Sequence, residues 1–210
     1  MKEFITIKEN VVAEIVEKKS KFIANLIYVD SIQDTENIIK DIKKKYFDAR
    51  HNCIAYRIVE DEKIVERSSD DGEPSGTAGA PMLTILQKNN LANVLVIVTR
   101  YFGGILLGTG GLVRAYSEST IKAIEEADKV EMILGEELEV VLDYNNFENF
   151  KYYCKNNGIN IVNPQYTENI VCKIEINADK KQKLMGDFET KKINLKEIRE
   201  LSKKYIIKSK

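Results

Sequence analysis

Residues 93–114 read Asn-Val-Leu-Val-Ile-Val-Thr-Arg-Tyr-Phe-Gly-Gly-Ile-Leu-Leu-Gly-Thr-Gly-Gly-Leu-Val-Arg, and this stretch decides the fold of the chain. Its first seven residues form a nearly continuous β-branched run, which is typical of a buried central strand. A glycine cluster follows, and residues 109–127 then carry apolar side chains at roughly helical spacing. The order of strand, glycine turn and helix predicts a compact α/β arrangement with a built site at the turn.

Glycine is concentrated around this stretch, because eight of the eleven glycines lie between Gly72 and Gly111 in two clusters. A glycine turn that opens a helix presents free backbone N–H groups, which together with the helix dipole favour an anion. Arg100 and Arg114 would add charge-assisted hydrogen bonds to a phosphate. The alternative is that the glycines only permit a tight chain crossing beside the central strand. The candidate anion-binding residues are Arg100, Gly103, Gly104, Gly108, Gly110, Gly111 and Arg114, with Ser75, Gly76 and Thr77 from the first cluster.

The first glycine cluster also carries an acidic motif, in which Asp70, Asp71 and Glu73 fall within four residues. Three roles are open for these carboxylates: internal pairing with the two arginines, recognition of a ligand, and metal binding or catalysis. No nucleotide-binding loop is predicted, since neither GxxxxGK[ST] nor GxGxxG occurs in either cluster.

Three polar side chains near the motif have both structural and chemical interpretations. Ser75 and Thr77 are predicted as helix caps, because no base lies beside them in sequence to make either a nucleophile. His51 is the only histidine of the chain and serves either as a general base, as a pH-sensitive contact or as a hydrogen-bonded structural residue. A single histidine excludes multi-histidine metal sites, and we predict neither a metal nor a cofactor.

The composition of the 210 residues, 43% hydrophobic and 31% charged, is that of an ordinary soluble globular protein. No apolar run approaches the roughly 20 residues of a membrane span, so a cytoplasmic location and no membrane contact are expected. Cys53, Cys154 and Cys172 are widely spaced without a CxxC pair, which predicts buried free thiols. Residues 191–210 contain eight Lys or Arg against two Glu, a charge of +6 that suits either a polyanion contact or a solvated charged strand.

Two domains are predicted, residues 1–135 and residues 136–210, joined by a continuous strand near Gly135. In the second domain the segments have the order βαββαβ, the split ferredoxin-like motif. Its predicted strands are 138–142, 159–162, 170–176 and 195–207, and its predicted helices are 146–156 and 179–188. In the first domain we predict strands at 4–7, 11–16, 22–29 and 93–99, a hairpin of 53–59 and 63–67 around Glu60-Asp61-Glu62, and helices after a Ser31 cap, at 77–86 and at 109–127.

Four stretches of the first domain make the chain closely similar to the IMPACT/YigZ family. They are Lys19-Ser20-Lys21-Phe22, Ala49 to Arg57, Asp70 to Pro81, and Val98 to Tyr116. The resemblance implies an α+β protein. Its N-terminal α/β domain would have the left-handed βαβ crossover fold of ribosomal proteins and of domain IV of elongation factor G. Its C-terminal domain would be ferredoxin-like, similar to domain V of that factor.

The resemblance also implies a function near translation. Eukaryotic members regulate translation initiation by opposing activation of a stress kinase, and they do so through an additional N-terminal RWD domain. This chain begins directly with the IMPACT part, so we do not extend the regulation of that kinase to it. Our leading hypothesis is a cytosolic binding or regulatory protein that contacts RNA, the ribosome or a translation-related protein through the glycine-rich groove and the ferredoxin-like sheet. The alternatives are an enzyme acting on a phosphorylated small molecule and a protein-interaction module whose glycines are structural. The resemblance carries no established catalytic residues.

Overall fold

The computed structural model describes residues 3–60 and 63–208, and it has the predicted α+β fold. Its contacts divide the chain into two compact units, one from Glu3 to Val130 and one from Glu131 onward. The predicted boundary after residue 135 falls within a strand that begins at Lys129.

The first unit is built around a five-stranded antiparallel sheet. Its elements are β1 (Glu3–Ile7), β2 (Val11–Glu17), β3 (Ser20–Tyr28), α1 (Ile32–Lys45), β4 (His51–Glu60), β5 (Lys63–Ser69), α2 (Gly79–Lys88), β6 (Val94–Tyr101) and α3 (Gly108–Glu126). The strand order is β2-β3-β6-β4-β5, and β6 is the buried centre that the β-branched run predicts. Because β3 and β4 are both antiparallel to β6, they run parallel to each other and α1 connects them as a βαβ crossover.

Helices cover both faces of this sheet. Val94, Val96 and Val98 of β6 pack in one core with residues of α2 and α3. Leu95 and Ile97, which point to the other face, pack with the apolar side of α1. The period-2 alternation of a fully buried strand thus separates two cores. The turn predicted at Glu60-Asp61-Glu62 lies partly outside the described residues.

The start of α1 follows the sequence prediction closely. Ser31 is the N-cap residue, and its Oγ accepts a hydrogen bond from the Asp34 N–H at 3.1 Å. The last turn carries Lys43, Lys44 and Lys45, where positive charge interacts favourably with the helix dipole.

The second unit has the predicted βαββαβ order. Its elements are β7 (Lys129–Leu142), α4 (Tyr144–Asn156), β8 (Asn160–Tyr166), β9 (Ile170–Ile176), α5 (Ala178–Glu189) and β10 (Glu197–Ile207). Its strands lie in the antiparallel order β10-β7-β9-β8, and β7 runs unbroken through Gly135, as predicted. This strand begins nine residues before the predicted Leu138, because charged side chains obscure the alternation between residues 129 and 137.

All three cysteines are buried and free, as predicted. Cys154 of α4 and Cys172 of β9 belong to the core between the helices and the sheet of the second unit. Burial raises the pKa of Cys154 to about 12 and that of Cys172 to about 11. Both side chains are therefore neutral thiols at physiological pH and serve as small apolar core residues.

Candidate functional site

The four sequence stretches that carry the family resemblance meet at one end of the first-unit sheet. Strand β6 ends there at Tyr101, where β3 and β4 begin, and the register pairs Arg100 with both Phe22 and His51. We call residues 17–22, 46–53, 69–79 and 99–116 the signature end. Segments separated by up to about a hundred residues in sequence are thereby brought into one region.

The carboxylate of Asp70 binds the backbone N–H groups of the first glycine cluster. Its Oδ1 accepts hydrogen bonds from the N–H groups of Ala78 at 3.0 Å and Gly79 at 2.8 Å, and its Oδ2 accepts one from Gly76 at 2.8 Å. Burial acts to raise the pKa of Asp70, but the three N–H donors outweigh it and leave the pKa below its ordinary value. The Asp70 carboxylate is therefore an anion supplied by the chain itself. It binds backbone N–H groups of the glycine cluster in which the sequence predicted a site for an external anion.

This arrangement changes the roles expected of Ser75 and Thr77. Helix α2 begins at Gly79 with Ala78 at the N-cap, so the prediction that Ser75 or Thr77 caps it was wrong. The Thr77 hydroxyl instead donates to the Pro74 carbonyl at 2.6 Å. The cap comes from Asp70, eight or nine residues earlier in the chain, a distance at which no local capping pattern is visible.

Asp71 and His51 hold the same loop against β4. Asp71 Oδ1 lies 2.6 Å from Lys43 Nζ, and its Oδ2 accepts the Asn52 N–H at 2.7 Å. His51 Nδ1 lies 2.9 Å from the Asp71 carbonyl oxygen, and because a carbonyl only accepts, this nitrogen carries the proton. The geometry matches the structural interpretation of His51.

Glu73 and Arg100 form a buried ion pair beneath the loop. Glu73 Oε1 lies 2.7 Å from Arg100 Nη1 and accepts a second bond from the Tyr116 hydroxyl at 2.8 Å. The guanidinium carbon of Arg100 lies over the rings of both Phe22 and Phe102, 5.6 Å from each centroid. Burial, with the nearby Cys53 and Glu73, raises the pKa of Tyr116, so the phenol remains a donor.

The predicted pairing of the acidic motif with arginines therefore holds for Arg100 and does not extend to Arg114. Arg114 lies in the second turn of α3, is exposed, and makes no ion pair within residues 3–60 and 63–208. Within those ranges the Nε of Arg100 is buried and has no hydrogen-bond partner. Arg100 is thus part of the fold, whereas Arg114 is free to meet a ligand.

Gly103 is required by packing. A Cβ at Gly103 would lie 2.0 Å from the carbonyl carbon of Lys19, and the Gly103 N–H donates to Ser20 Oγ at 3.2 Å. The loop after β6 and the turn between β2 and β3 cross in contact here. At this position the geometry matches the tight chain crossing that was the alternative to anion binding.

The remaining glycines of the second cluster leave the backbone open. Added Cβ atoms at Gly104, Gly108 and Gly110 would meet no heavy atom within 4 Å, whereas one at Gly111 would lie 2.9 Å from the Cβ of Leu107. Helix α3 has no side-chain cap at its N-terminus and no acidic residue in its first turn. Its first N–H groups are therefore accessible, in the geometry that favours an anion.

Unpaired positive charge and exposed apolar side chains surround this loop. Lys18 and Lys19 lie in the β2–β3 turn, and Arg50 directly precedes β4; all three are exposed and, like Arg114, make no ion pair with any described residue. Exposed fractions are 52% for Phe102 and 83% for Leu106. The sequence analysis did not predict Lys18, Lys19 or Arg50 as contact residues, although Lys19 and Arg50 lie within the stretches that carry the family resemblance.

The basic C-terminal segment, in contrast, is largely neutralised. The Nζ of Lys204 lies 2.6 Å from a Glu175 carboxylate oxygen and 3.2 Å from one of Glu137. Other basic side chains of the segment have acidic partners as well: Lys192 with Asp187, Lys196 with Asp143, Arg199 with Glu139 and Glu197, and Lys208 with Glu131. This pattern favours the solvated charged strand over a polyanion contact.

No group of three or more His, Cys, Asp or Glu side chains suited to a metal ion occurs among the described residues. Within the same part of the chain, no helix combines the length and apolar character that a membrane crossing requires.

Two protein-family models match the chain. The Impact N-terminal domain matches residues 18–124, and a domain of unknown function, DUF1949, matches residues 140–188. The first match contains all four sequence stretches that carry the family resemblance.

Bacterial relatives are similar over much of the chain. The IMPACT family member YvyE of Bacillus subtilis is 45% identical over 141 residues, which cover 67% of this chain and 64% of that one. An IMPACT family member of Haemophilus influenzae is 38% identical over 174 residues, covering 81% and 83% of the two chains. A crystal structure described as a hypothetical protein has a TM-score of 0.64 at 27% identity and covers 96% of this chain and 98% of its own. The chain thus spans just under two thirds of YvyE and more of the other two.

Proposed function

This chain belongs to the IMPACT family, and from that premise we propose that it is a translation-associated binding protein that contacts RNA through the signature end. The observation that carries the proposal is a set of exposed cations that have no acidic partner among the described residues, Lys18, Lys19, Arg50 and Arg114, around an exposed Phe102. Cations that replace the counterions of phosphates supply most of the affinity for a polyanion. An exposed aromatic ring among them offers a surface on which an unpaired base stacks.

Most acidic side chains at the same end are engaged by internal donors, the exception among the described residues being Glu17 at the end of β2. Asp70 is held by backbone N–H groups, Asp71 by Lys43 and Glu73 by Arg100. A fourth carboxylate, that of Asp48, accepts the Tyr101 hydroxyl at 2.7 Å. The four unpaired cations outnumber Glu17, Asp48 and Asp70, the carboxylates of this end without a cationic partner among the described residues, which leaves a weakly positive surface on a chain whose overall charge is -1.

Within the signature end, the backbone contact to a phosphate is proposed at the loop after β6 and the start of α3. Gly104, Gly108 and Gly110 leave that backbone accessible, and Arg114 stands one turn further along the helix. Gly76 contributes nothing to an external ligand here, because Asp70 already occupies its N–H group. A phosphate at an uncapped helix N-terminus is a recurrent mode of recognition.

The experiment is co-sedimentation of the purified chain with ribosomes, and its binding to a single-stranded RNA, over a series of salt concentrations. We expect binding at low salt that weakens steadily as salt rises, because phosphate contacts release counterions. Absence of binding even at low ionic strength overturns the proposal. Binding of a phosphorylated metabolite with no binding of RNA would instead favour the enzyme alternative, since the start of α3 suits any phosphate.

A further inference from the structure

The second unit contains a cleft of about 320 Å³ between α4 and the segment that precedes β10. This volume lies within the range of small-ligand sites. One wall is a face of α4, and the other is the irregular segment 192–195, anchored because Ile193 and Leu195 pack into the core.

Asparagine side chains dominate the lining. Asn146, Asn149 and Asn156 follow one another at intervals of three and seven residues, which places them along one face of α4. Asn194 lies on the opposite wall, between the two core anchors. An amide carries two donors and an acceptor with two lone pairs, so these four side chains, three of them exposed and Asn146 half-buried, offer a ligand many hydrogen-bonding groups.

Asn146, Asn149, Asn156 and Asn194 are distinguished by sharing one cleft, since Asn145 and Asn163, which likewise make no side-chain hydrogen bond to a described residue, do not line it. The side chains of Asn146, Asn149, Asn156 and Asn194 make no hydrogen bond to any described residue. The remaining asparagine side chains of the unit are engaged: Asn157 with Lys183 and the Tyr153 carbonyl, Asn160 with Glu175, Asn169 with Lys196 and Asn177 with the Lys180 N–H.

The cleft is close to electrically neutral, and its lining includes aromatic side chains of α4, namely Phe150, Tyr152 and Tyr153. Its one charged lining residue, Lys192, is paired with Asp187 at 3.1 Å. The Tyr153 hydroxyl donates to the same carboxylate group at 2.9 Å, which fixes the ring. That ring lies nearly parallel to Phe150, at an interplanar angle of 9° and a centroid distance of 6.5 Å.

We propose that this cleft binds a neutral planar heterocycle of the nucleobase class. Base edges alternate donors and acceptors, which amide side chains match in pairs, and base faces stack on aromatic rings. A sugar fits less well, because its many hydroxyl donors favour carboxylate acceptors and none is among the lining residues. All lining residues belong to the second unit, so the inference stands independently of the phosphate contact proposed for the signature end.

The test is a titration of the isotope-labelled full chain with adenosine, guanosine, cytidine and uridine, followed by nuclear magnetic resonance. Nucleosides lack phosphate, so the cations of the signature end add nothing to their binding, and the amide signals of the cleft distinguish binding there from stacking on Phe102. We expect at least one to cause saturable shifts in the side-chain amide signals of Asn146, Asn149, Asn156 and Asn194. Asn149→Ala and Asn156→Ala should each weaken that binding about tenfold.

Asn145→Ala is the matched control, because Asn145 lies on the same helix and does not line the cleft. Asn149→Gln keeps an amide while changing its reach, and it provides a second variant should an alanine variant perturb α4. The proposal is overturned if no nucleoside gives saturable shifts, if a methyl glucoside gives the same shifts as the nucleosides, or if the cleft variants bind as the control does.

Discussion

Glu73 and Arg100 form a 2.7 Å ion pair whose side chains are 3% and 7% exposed. Both belong to the stretches that carry the family resemblance, and both lie in the interior of the signature end. A variant at Arg100 therefore tests the stability of the fold, whereas a variant at the exposed Arg114 tests the proposed contact with RNA.

Removing one partner of this pair should destabilise the first unit strongly. Arg100→Met leaves the Glu73 carboxylate buried with only Tyr116 as donor, and breaking such a pair costs about 3–5 kcal/mol of the free energy of unfolding. The measurement is urea unfolding of the full chain.

The double variant Arg100→Met with Glu73→Gln should recover part of that stability, because the uncompensated charge is gone. Lys151→Met, which removes an exposed pair with Glu148 on α4, is the control and should change stability by less than about 1 kcal/mol. A destabilisation by Arg100→Met no larger than that of this control would contradict a structural role for the pair.

Two glycines of the second cluster should respond in opposite ways to alanine. Gly103→Ala places a Cβ 2.0 Å from backbone and should destabilise the unit by several kcal/mol, whereas Gly110→Ala meets open space and should stabilise α3 by up to about 1 kcal/mol. Thermal unfolding compares the two variants.

Gly110→Ala should at the same time weaken RNA binding, because a methyl group would cover backbone that the phosphate approaches. Gly186→Ala is the matched control, since Gly186 is a helical glycine of α5 that also meets nothing within 4 Å. If Gly110→Ala binds RNA as tightly as Gly186→Ala does, the phosphate does not approach the start of α3.

Asp70 should make the stability of the first unit depend on acidic pH. Its pKa is lower in the folded chain than in the unfolded chain, so the unfolded state takes up the proton first. The stabilisation is present above about pH 4 and is lost as pH falls through the folded pKa.

Asp70→Asn should remove that dependence and lower stability at neutral pH by about 1–2 kcal/mol, because an amide N–H₂ then faces the Gly76 N–H. Asp41→Asn, at an exposed pair on α1, is the control and should keep the pH dependence that Asp70 confers. Identical profiles for wild type and Asp70→Asn between pH 2 and about 5 would refute the role of Asp70 as an internal anion.

Cys53 should resist alkylation in the folded state. Its thiol donates to the Asp70 carbonyl at 2.9 Å, and burial raises its pKa to about 12, so the reactive thiolate is scarce at pH 8. Mass spectrometry after iodoacetamide treatment should find Cys53 modified in urea and unmodified in buffer. Modification in buffer at the rate of a free cysteine would contradict this burial.

The elements with strong periodicity were predictable from the sequence, and the side-chain partners were not. The β-branched run of β6, the Ser31 cap and the βαββαβ order each follow from local patterns. Asp70, however, caps a helix eight or nine residues away, and local patterns predicted that cap at Ser75 or Thr77.

Charge shows the same limit of sequence reasoning. A count of residues makes the C-terminal segment the most basic part of the chain, but strand pairing sets Lys204 beside Glu137 and Glu175. Arg50 and Lys19 are distant in sequence and inconspicuous there, and only the sheet register places both at the signature end. Whether a charge is available depends on its neighbours in the fold.

The most direct test of the central claim is the salt dependence of RNA affinity, measured for three proteins with a fluorescent single-stranded oligonucleotide. They are the wild type, a variant with Lys19, Arg50 and Arg114 changed to Ala, and a charge-matched variant with Lys155, Lys196 and Lys203 of the second unit changed to Ala. We predict that the first variant has a shallower slope of log affinity against log salt, by about 0.7 for each phosphate that it no longer neutralises, and that the second variant keeps the wild-type slope. Equal slopes for the wild type and the first variant, or a shallower slope confined to the second, would contradict a polyanion contact at the signature end.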